Sequence, residues 1–161
     1  MGEPVFTETP QIALVVRSLD AAMRTYVHDY GIGPWEIYEF NPGNVANMRE
    51  DGQSVERSWR LAISQVGHVQ WELIEPLDED SVYARFLAEK GEGLHHVGVA
   101  VPNFDETVAA QAERGNGVLL GGEYKGVRFA YLATERDLGL VTEIFSAAPG
   151  EDQRPDATYS G

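Results

Sequence analysis

The sequence predicts an α+β fold: paired βαβββ modules that form a curved mixed sheet with helices on the outside. The first observation is an internal repeat, because residues 11–20 align with 96–105 and residues 69–74 align with 140–145. The second is that each copy opens on a polar residue in an apolar strand and closes on a Glu inside another such strand. The third is length, since 161 residues suffice for one domain of two small modules.

The first module is expected over about residues 8–77. Runs of Val, Leu and Ile predict its strands, and Ser18 or Asp20 can cap a helix that Gly31 and Pro34 bring to an end. A polar, Gly-rich segment predicts a long loop, and loops longer than ~12–15 residues are often functional. The predicted elements are strands at 11–16, 35–40, 57–65 and 69–74, a helix at 21–30 and the loop at 41–56.

A connector and a short helix at 81–88 are expected to lead into the second module, over about residues 94–147. Residues 1–147 are therefore expected to form a single domain. Residues 148–161 are rich in Pro, Asp and Gly without periodicity, which predicts a flexible C-terminal tail. The predicted elements of the second module are strands at 97–101, 118–120, 129–133 and 140–145, and a helix at 105–114.

The composition excludes several classes of function. A formal net charge of −14 argues against nucleic-acid binding, which needs clustered Lys and Arg. The chain has no Cys, so neither a disulfide framework nor a thiolate metal site is available. No apolar run reaches the ~20 residues of a membrane span, and no signal peptide is recognisable. We expect a cytoplasmic protein that acts on a small molecule, with no nucleic-acid or membrane partner.

Four polar residues occupy equivalent places in the two modules and can converge when the modules pair. On their strands they share a face with small residues such as Gly98 and Ala100, which leaves room for a substrate. A Glu in the middle of a buried strand is costly unless it is paired or bound to a metal. The four plausible ligands of a divalent metal are Gln11, Glu72, His96 and Glu143.

Three stretches carry a family resemblance: Glu72 to Leu77 (ELIEPL), Phe86-Leu87, and Gly91 to Val97 (GEGLHHV). Over about residues 8–147 the chain resembles the vicinal oxygen chelate superfamily, which includes glyoxalase I, methylmalonyl-CoA epimerase, extradiol dioxygenases and bleomycin-resistance proteins. The double His after a Gly-rich turn is the most specific match, and the stretches look most like methylmalonyl-CoA epimerase.

The resemblance implies one divalent metal ion (Zn, Co, Ni or Mn) on Gln11, Glu72, His96 and Glu143, and a homodimer. It also implies an epimerase or isomerase that transfers a proton next to a carbonyl, with an acyl-CoA as one substrate class. Glu72 and Glu143 would be its catalytic bases.

Two alternatives to an epimerase stay open. The epimerases usually carry His where Gln11 stands, and the Gln-Glu-His-Glu set looks more like the Zn form of glyoxalase I, a lactoylglutathione lyase. The other alternative is a non-catalytic protein that binds a small molecule, as in drug resistance. Extradiol dioxygenases need two His and one carboxylate on iron, which these four positions do not supply.

Four further residues are candidates for supporting roles. Trp35 and Phe129 could line an apolar substrate pocket, although aromatic residues more often pack in a core. Arg57 could hold a phosphate or carboxylate of the substrate, although pairing with the abundant Asp and Glu is the simpler role. His95, next to a predicted ligand, is expected to support that ligand or pack in the core.

Overall fold

The computed structural model of the protein describes residues 4–146 and 154–161. Its strands form one mixed sheet in the spatial order β11-β2-β5-β6-β1-β7-β10-β9-β8-β3-β4. The strands are β1 (Glu8–Val15), β2 (Trp35–Phe40), β3 (Val45–Glu50), β4 (Gln53–Ser54), β5 (Trp59–Val66), β6 (Val69–Pro76), β7 (Gly93–Ala100), β8 (Val118–Tyr124), β9 (Val127–Leu132), β10 (Val141–Phe145) and β11 (Ala157–Tyr159). The helices are α1 (Leu19–Tyr30), α2 (Val82–Lys90), α3 (Phe104–Glu113) and α4 (Glu135–Leu138).

The sheet consists of two halves that meet where β1 pairs antiparallel with β7. Outward from this seam, β6 lies parallel to β1 in one half, and β10 lies parallel to β7 in the other. The order β2-β5-β6-β1 is thus mirrored by β7-β10-β9-β8, as expected for two repeats related by an approximate two-fold axis. The predicted α+β class with a mixed sheet of paired modules is confirmed.

Equivalent helices cover the two halves from the outside. Ser18 caps α1 by accepting a hydrogen bond from the Ala21 amide, and Gly31 ends it in the left-handed region at φ 67°. Asn103 caps α3 in the same way through the Glu106 amide. α1 packs on β5 and β6, and α3 packs on β9. Among the described residues, every helix is too short or too polar to cross a bilayer.

The predicted loop at 41–56 instead contains two strands. β3 pairs antiparallel with β8, so an insertion in the first module extends the sheet half of the second module. Val45 and Met48 are buried on it. A register shift between Ala46 and Arg49, with Asn47 at φ 54°, interrupts the alternation of apolar and polar residues. The bulge therefore removes the periodic signal by which the strand would have been recognised.

The predicted flexible tail at 148–161 is wrong for its last part. Residues 157–159 form β11, which pairs antiparallel with β2, and Tyr159 packs against the apolar cluster that contains Trp35. β11 thereby takes the place that β3 takes in the other half. A three-residue strand has no readable periodicity, because its partner strand defines it. The rest of the predicted tail lies largely outside the described residues.

A buried ionic cluster joins the insertion to the linking helix. Both carboxylate oxygens of Glu50, which is 5% exposed, are paired: one lies 3.1 Å from Arg57 Nε and the other 2.6 Å from Arg85 Nη2. Arg57 also lies 2.9 Å from Asp80. Glu50 therefore connects β3, the segment before β5, and α2, and it holds the two guanidinium groups in place.

Replacing Glu50 with Ala should destabilise the protein by about 1–3 kcal/mol, because the partly buried guanidinium of Arg57 and the exposed one of Arg85 both lose a buried partner. Chemical denaturation would measure this. The matched control is Asp80→Ala, since Asp80 is 74% exposed and its loss should cost less than about 0.5 kcal/mol. Equal effects of the two substitutions would contradict the role given to Glu50.

Candidate metal centre

The register of the four central strands brings the predicted ligands to one face of the sheet. Residues paired across neighbouring strands point to the same side. One row across the sheet is Glu72, Ala13, His96 and Val141, and the next row is Gln70, Gln11, Gly98 and Glu143. When the second row is read in the opposite direction, Glu143 occupies the position equivalent to Glu72, and Gln11 occupies the position equivalent to His96. This is the equivalence that the repeat predicts.

Three of these side chains form a compact buried cluster. His96 Nε2 lies 2.9 Å from Glu143 Oε2 and 3.5 Å from Glu72 Oε2. One ligand atom from each of the three residues lies within 4.8 Å of the others. Gln11 is 5% exposed on the same face, and its Oε1 and Glu72 Oε2 are buried without a hydrogen-bond partner among the described residues.

These residues fit a divalent cation. Glu72 and Glu143 are both buried, and Glu72 Oε2 has no hydrogen-bond partner among the described residues. Burying two such carboxylates destabilises the folded protein unless a positive charge lies between them. The donors are two carboxylates, an imidazole nitrogen and an amide oxygen, which Zn, Co, Ni and Mn all accept. Gly98 keeps space among them, because a Cβ there would lie 2.9 Å from Gln11 Oε1. Three of the four predicted ligands thus cluster, and Gln11 lies at a neighbouring register position of the same face. The donor set leaves the choice among these metals open.

Burial governs the protonation of the cluster. Burial raises the pKa of Glu72 well above its usual range, and the nearby Glu143 raises it further. Burial also raises the pKa of Glu143. Burial lowers the pKa of His96 to about 3, so its imidazole is neutral and has a lone pair for a metal. A cation must therefore displace protons from the carboxylates, and its affinity should rise with pH.

His95 contacts the predicted ligand directly, although adjacent residues of a regular strand point to opposite faces. The β1–β7 register passes from the pair Ala13–His96 to the pair Leu14–Leu94, so His95 sits in a bulge. Its Nδ1 lies 2.9 Å from His96 Nδ1. If His96 donates its Nδ1 proton to His95, His96 Nε2 is left free to bind metal, the arrangement typical of metal-binding His.

Tyrosines complete the wall behind the His pair. The ring of Tyr131 lies 4.5 Å from the ring of His96, centroid to centroid. Its hydroxyl lies 2.6 Å from that of Tyr83, which is fully buried on α2. The ring of Tyr83 packs in turn against His95. The linking helix, which the sequence suggested only as a connector, therefore helps to fix both imidazoles.

A cavity of about 690 Å³ opens above the cluster, within the usual range for a small-molecule site. Gln11, Glu72 and Glu143 lie on its floor. Its walls are largely apolar, and their aromatic residues include Phe40, Trp59, Tyr124, Phe129, Tyr131 and Phe145. Phe129, which the sequence suggested for the wall of an apolar substrate pocket, is one of the residues that line this cavity. The other wall aromatics had no signal to separate them from core residues.

Two expected substrate-binding residues lie elsewhere. Trp35 is fully buried between β2 and α1, where it packs edge-on against Tyr26 and donates its Nε1 proton to the Ile32 carbonyl. Arg57 is engaged with Glu50 and Asp80 and does not line the cavity. Side chains alternate along a strand, and Trp35 falls on the face that packs on the helix. Both assignments are therefore corrected.

Metal-free protein should respond to Glu72→Gln in a pH-dependent way. The folded protein keeps a proton on Glu72 that the unfolded chain loses near pH 4.3. Wild-type protein therefore loses stability as pH rises above that value, by at most about 1.4 kcal/mol per pH unit. In the presence of a chelator, the Tm of Glu72→Gln minus the Tm of the wild type should therefore increase from pH 5 to pH 8. Each kcal/mol of unfolding free energy that the wild type loses should add about 2–4 °C to this difference. For the exposed control Glu89→Gln, the difference in Tm from the wild type should not change with pH. A difference in Tm that stays constant with pH for Glu72→Gln would contradict the raised pKa of Glu72.

Replacing His95 with Phe should weaken metal binding by about 10–100-fold, because His96 loses the acceptor that orients it. Zn²⁺ titration by calorimetry would measure the affinity. His95→Gln, which retains an acceptor oxygen, should recover part of the loss, whereas His96→Ala should remove most of the metal. Equal affinities for wild-type and His95→Phe would show that His95 is only a packing residue.

Comparison with known proteins gives relatives by sequence and by fold. The protein YqjC of Bacillus subtilis (strain 168), named as uncharacterized, is 39% identical over 94 residues, which cover 55% of this chain and 66% of YqjC. The match therefore spans just under two thirds of that relative.

Solved structures share the fold. Hypothetical protein BH1468 from Bacillus halodurans C-125 superposes with a TM-score of 0.67 and 21% identity, covering 91% of this chain and 98% of its own. Streptomyces coelicolor methylmalonyl-CoA epimerase in complex with 2-nitronate-propionyl-CoA gives 0.63 and 24%, covering 89% and 99%. The Mycobacterium tuberculosis methylmalonyl-CoA epimerase gives 0.63 and 22%, covering 92% and 93%.

The family assignment rests on the sequence itself. Residues 10–131 match the family model of the glyoxalase/bleomycin resistance protein/dioxygenase superfamily. This stretch runs from the start of the site on β1 to Tyr131 behind His96, and it includes three of the four predicted ligands. The chain belongs to the glyoxalase/bleomycin resistance protein/dioxygenase superfamily.

Proposed function

We propose that this protein is a metal-dependent isomerase or epimerase that moves a proton at a carbon next to a carbonyl. The observation that carries the proposal is the pair Glu72 and Glu143. They come from opposite halves of the sheet and lie on the floor of one cavity, beside His96. A divalent cation held by Gln11, Glu72, His96 and Glu143 would polarise the carbonyl as a Lewis acid.

The two carboxylates suit opposite roles in proton transfer. Glu72 Oε2 has no hydrogen-bond partner among the described residues, so it is available to take a proton. Glu143 Oε2 lies within hydrogen-bond distance of His96 Nε2. Burial raises the pKa of both carboxyls, which makes each carboxylate a stronger proton acceptor once it is ionised. With one carboxylate on each side of a planar carbon, a proton can leave one face and return to the other.

Two observations bear on the reaction within this class. The methylmalonyl-CoA epimerases share the fold, and this supports an epimerase with an acyl-CoA as one candidate substrate. The ligand set supports the second candidate, a lyase that acts on a glutathione adduct as glyoxalase I does. Both reactions need the same proton transfer. A binding or resistance protein, the third possibility, would need neither carboxylate as a base.

Deuterium uptake in D₂O tests the proposed reaction. Protein reconstituted with Zn²⁺, Co²⁺, Ni²⁺ or Mn²⁺ should exchange the proton next to the carbonyl in at least one compound of a panel. The panel holds methylmalonyl-CoA, neutral 2-substituted thioesters and the methylglyoxal–glutathione adduct. Glu143→Gln should retain part of the metal yet lower exchange by about 10²–10⁴-fold, because it removes a base. The exposed control Glu89→Gln should exchange at the wild-type rate.

The outcomes separate the candidates. An active Glu143→Gln variant would rule out Glu143 as a base while leaving it as a ligand. Exchange only in the glutathione adduct would favour the lyase. Tight binding of panel compounds without exchange in any metal form would favour the binding protein. Wild-type protein that binds no divalent metal would discard the proposed reaction.

A further inference from the structure

The cavity above the cluster is lined by three acidic side chains and by no Lys or Arg, and its one basic lining residue among the described residues is the exposed His68. Its charged lining groups are the carboxylates Glu36, Glu72 and Glu143. None of the twelve Lys and Arg residues of the chain lines it. All twelve lie within residues 4–146 and 154–161, so the remaining segments, 1–3 and 147–153, have no basic side chain to add.

Three basic residues on strands or turns next to the cavity-lining residues are engaged with other groups. Arg60 lies 3.2 Å from Asp20 and 3.5 Å from Glu75. Arg128 makes two hydrogen bonds to Asp105 and lines a different cavity. Lys125, which follows the lining residue Tyr124, places its ammonium over the ring of that residue and donates to a backbone carbonyl. None of these three cations is among the described residues that line the cavity.

A bound metal would not reverse this balance. A divalent cation would be matched by the two carboxylates that hold it, which leaves the floor of the cavity about neutral. Glu36 then keeps a negative charge on the wall, where its carboxylate accepts a hydrogen bond from the Tyr38 hydroxyl at 3.0 Å. The chain as a whole carries −14, so an anionic ligand is also repelled at longer range.

The walls favour a flat apolar group. The rings of Phe40 and Trp59 are stacked with centroids 5.0 Å apart, and the ring of Tyr124 lies 4.2 Å from that of Phe40. Phe129 meets Trp59 edge-on at 6.3 Å. Such surfaces bind planar and aromatic groups through stacking and edge contacts.

We infer that the substrate is an uncharged carbonyl compound with a flat apolar group, and that the cavity discriminates against CoA thioesters and glutathione adducts, both of which are anionic. The inference rests on the proposed proton transfer for its reaction, and it narrows the substrate class of that site. Glu36 is the residue that sets this preference, since the other two carboxylates are matched by the metal.

A matched pair of substrates tests the inference. The 2-phenylpropionyl thioesters of CoA and of N-acetylcysteamine share the acyl group and the reacting carbon, but only the first has phosphates. Deuterium uptake should give a kcat/KM at least tenfold higher for the neutral thioester. Raising the salt from about 0.05 to 0.5 M should increase the rate for the CoA thioester alone, because salt screens repulsion.

Glu36→Gln tests the residue itself. It should raise severalfold the ratio of kcat/KM for the CoA thioester to kcat/KM for the neutral thioester, and glutamine retains an acceptor for Tyr38. The control is Glu39→Gln, which removes the same charge from an exposed position of the same strand outside the cavity. Equal gains from both variants, or none from Glu36→Gln, would show that the charge of the cavity does not select the substrate.

The inference and the proposed function can fail separately. A CoA thioester that exchanges faster than its neutral counterpart overturns the inference and leaves the proton transfer in place. If no compound exchanges, the proposed function fails, and calorimetric binding decides the inference. Both the Zn²⁺-loaded and the metal-free protein should then bind 2-phenylcyclohexanone at least tenfold more tightly than 2-phenylpropionyl-CoA. Tighter binding of the CoA thioester would overturn the inference.

Discussion

The site depends on the antiparallel pairing of β1 with β7, because this seam fixes the register between the two halves of the sheet. It sets Gln11 opposite Gly98 and His96 opposite Ala13, and the parallel neighbours β6 and β10 then add Glu72 and Glu143 to the same face. A shift of the seam by one residue would turn all the β1 or β7 side chains to the other face of the sheet. The small residues at 13 and 98 matter for the same reason, since both lie between ligands.

The buried groups of the cluster that most destabilise the folded protein are the same groups that the proposed reaction uses. Two carboxylates and an imidazole in contact, all buried, would destabilise a protein that had no cation to place among them. Burial raises the pKa of both carboxyls and lowers that of His96 to about 3, so without metal burial favours the neutral form of each group. The same desolvation that makes the cluster costly makes its carboxylates stronger proton acceptors once they are ionised.

Two departures from regular strand pairing bear on the site. One bulge brings His95 into contact with His96, and another interrupts the pairing of β3 with β8 in the far half of the sheet. The ionic cluster at Glu50 then ties β3 to α2, whose Tyr83 packs against His95 and contacts Tyr131. The insertion thus reaches the imidazoles through one helix. The aromatic cavity walls come from both halves, so their combination with acidic groups exists only in the assembled sheet.

The sequence by itself determined the class of fold, the two modules and the four candidate ligands, because the repeat, the strand phase and a Glu within an apolar strand can all be recognised from the order of residues alone. It did not determine β3 or β11, since a bulged strand and a three-residue edge strand have no periodicity and form only against β8 and β2. It also misplaced Trp35 and Arg57. Which face an aromatic ring joins, and which carboxylate an arginine meets, depend on residues distant in sequence, and only tertiary packing brings those residues together.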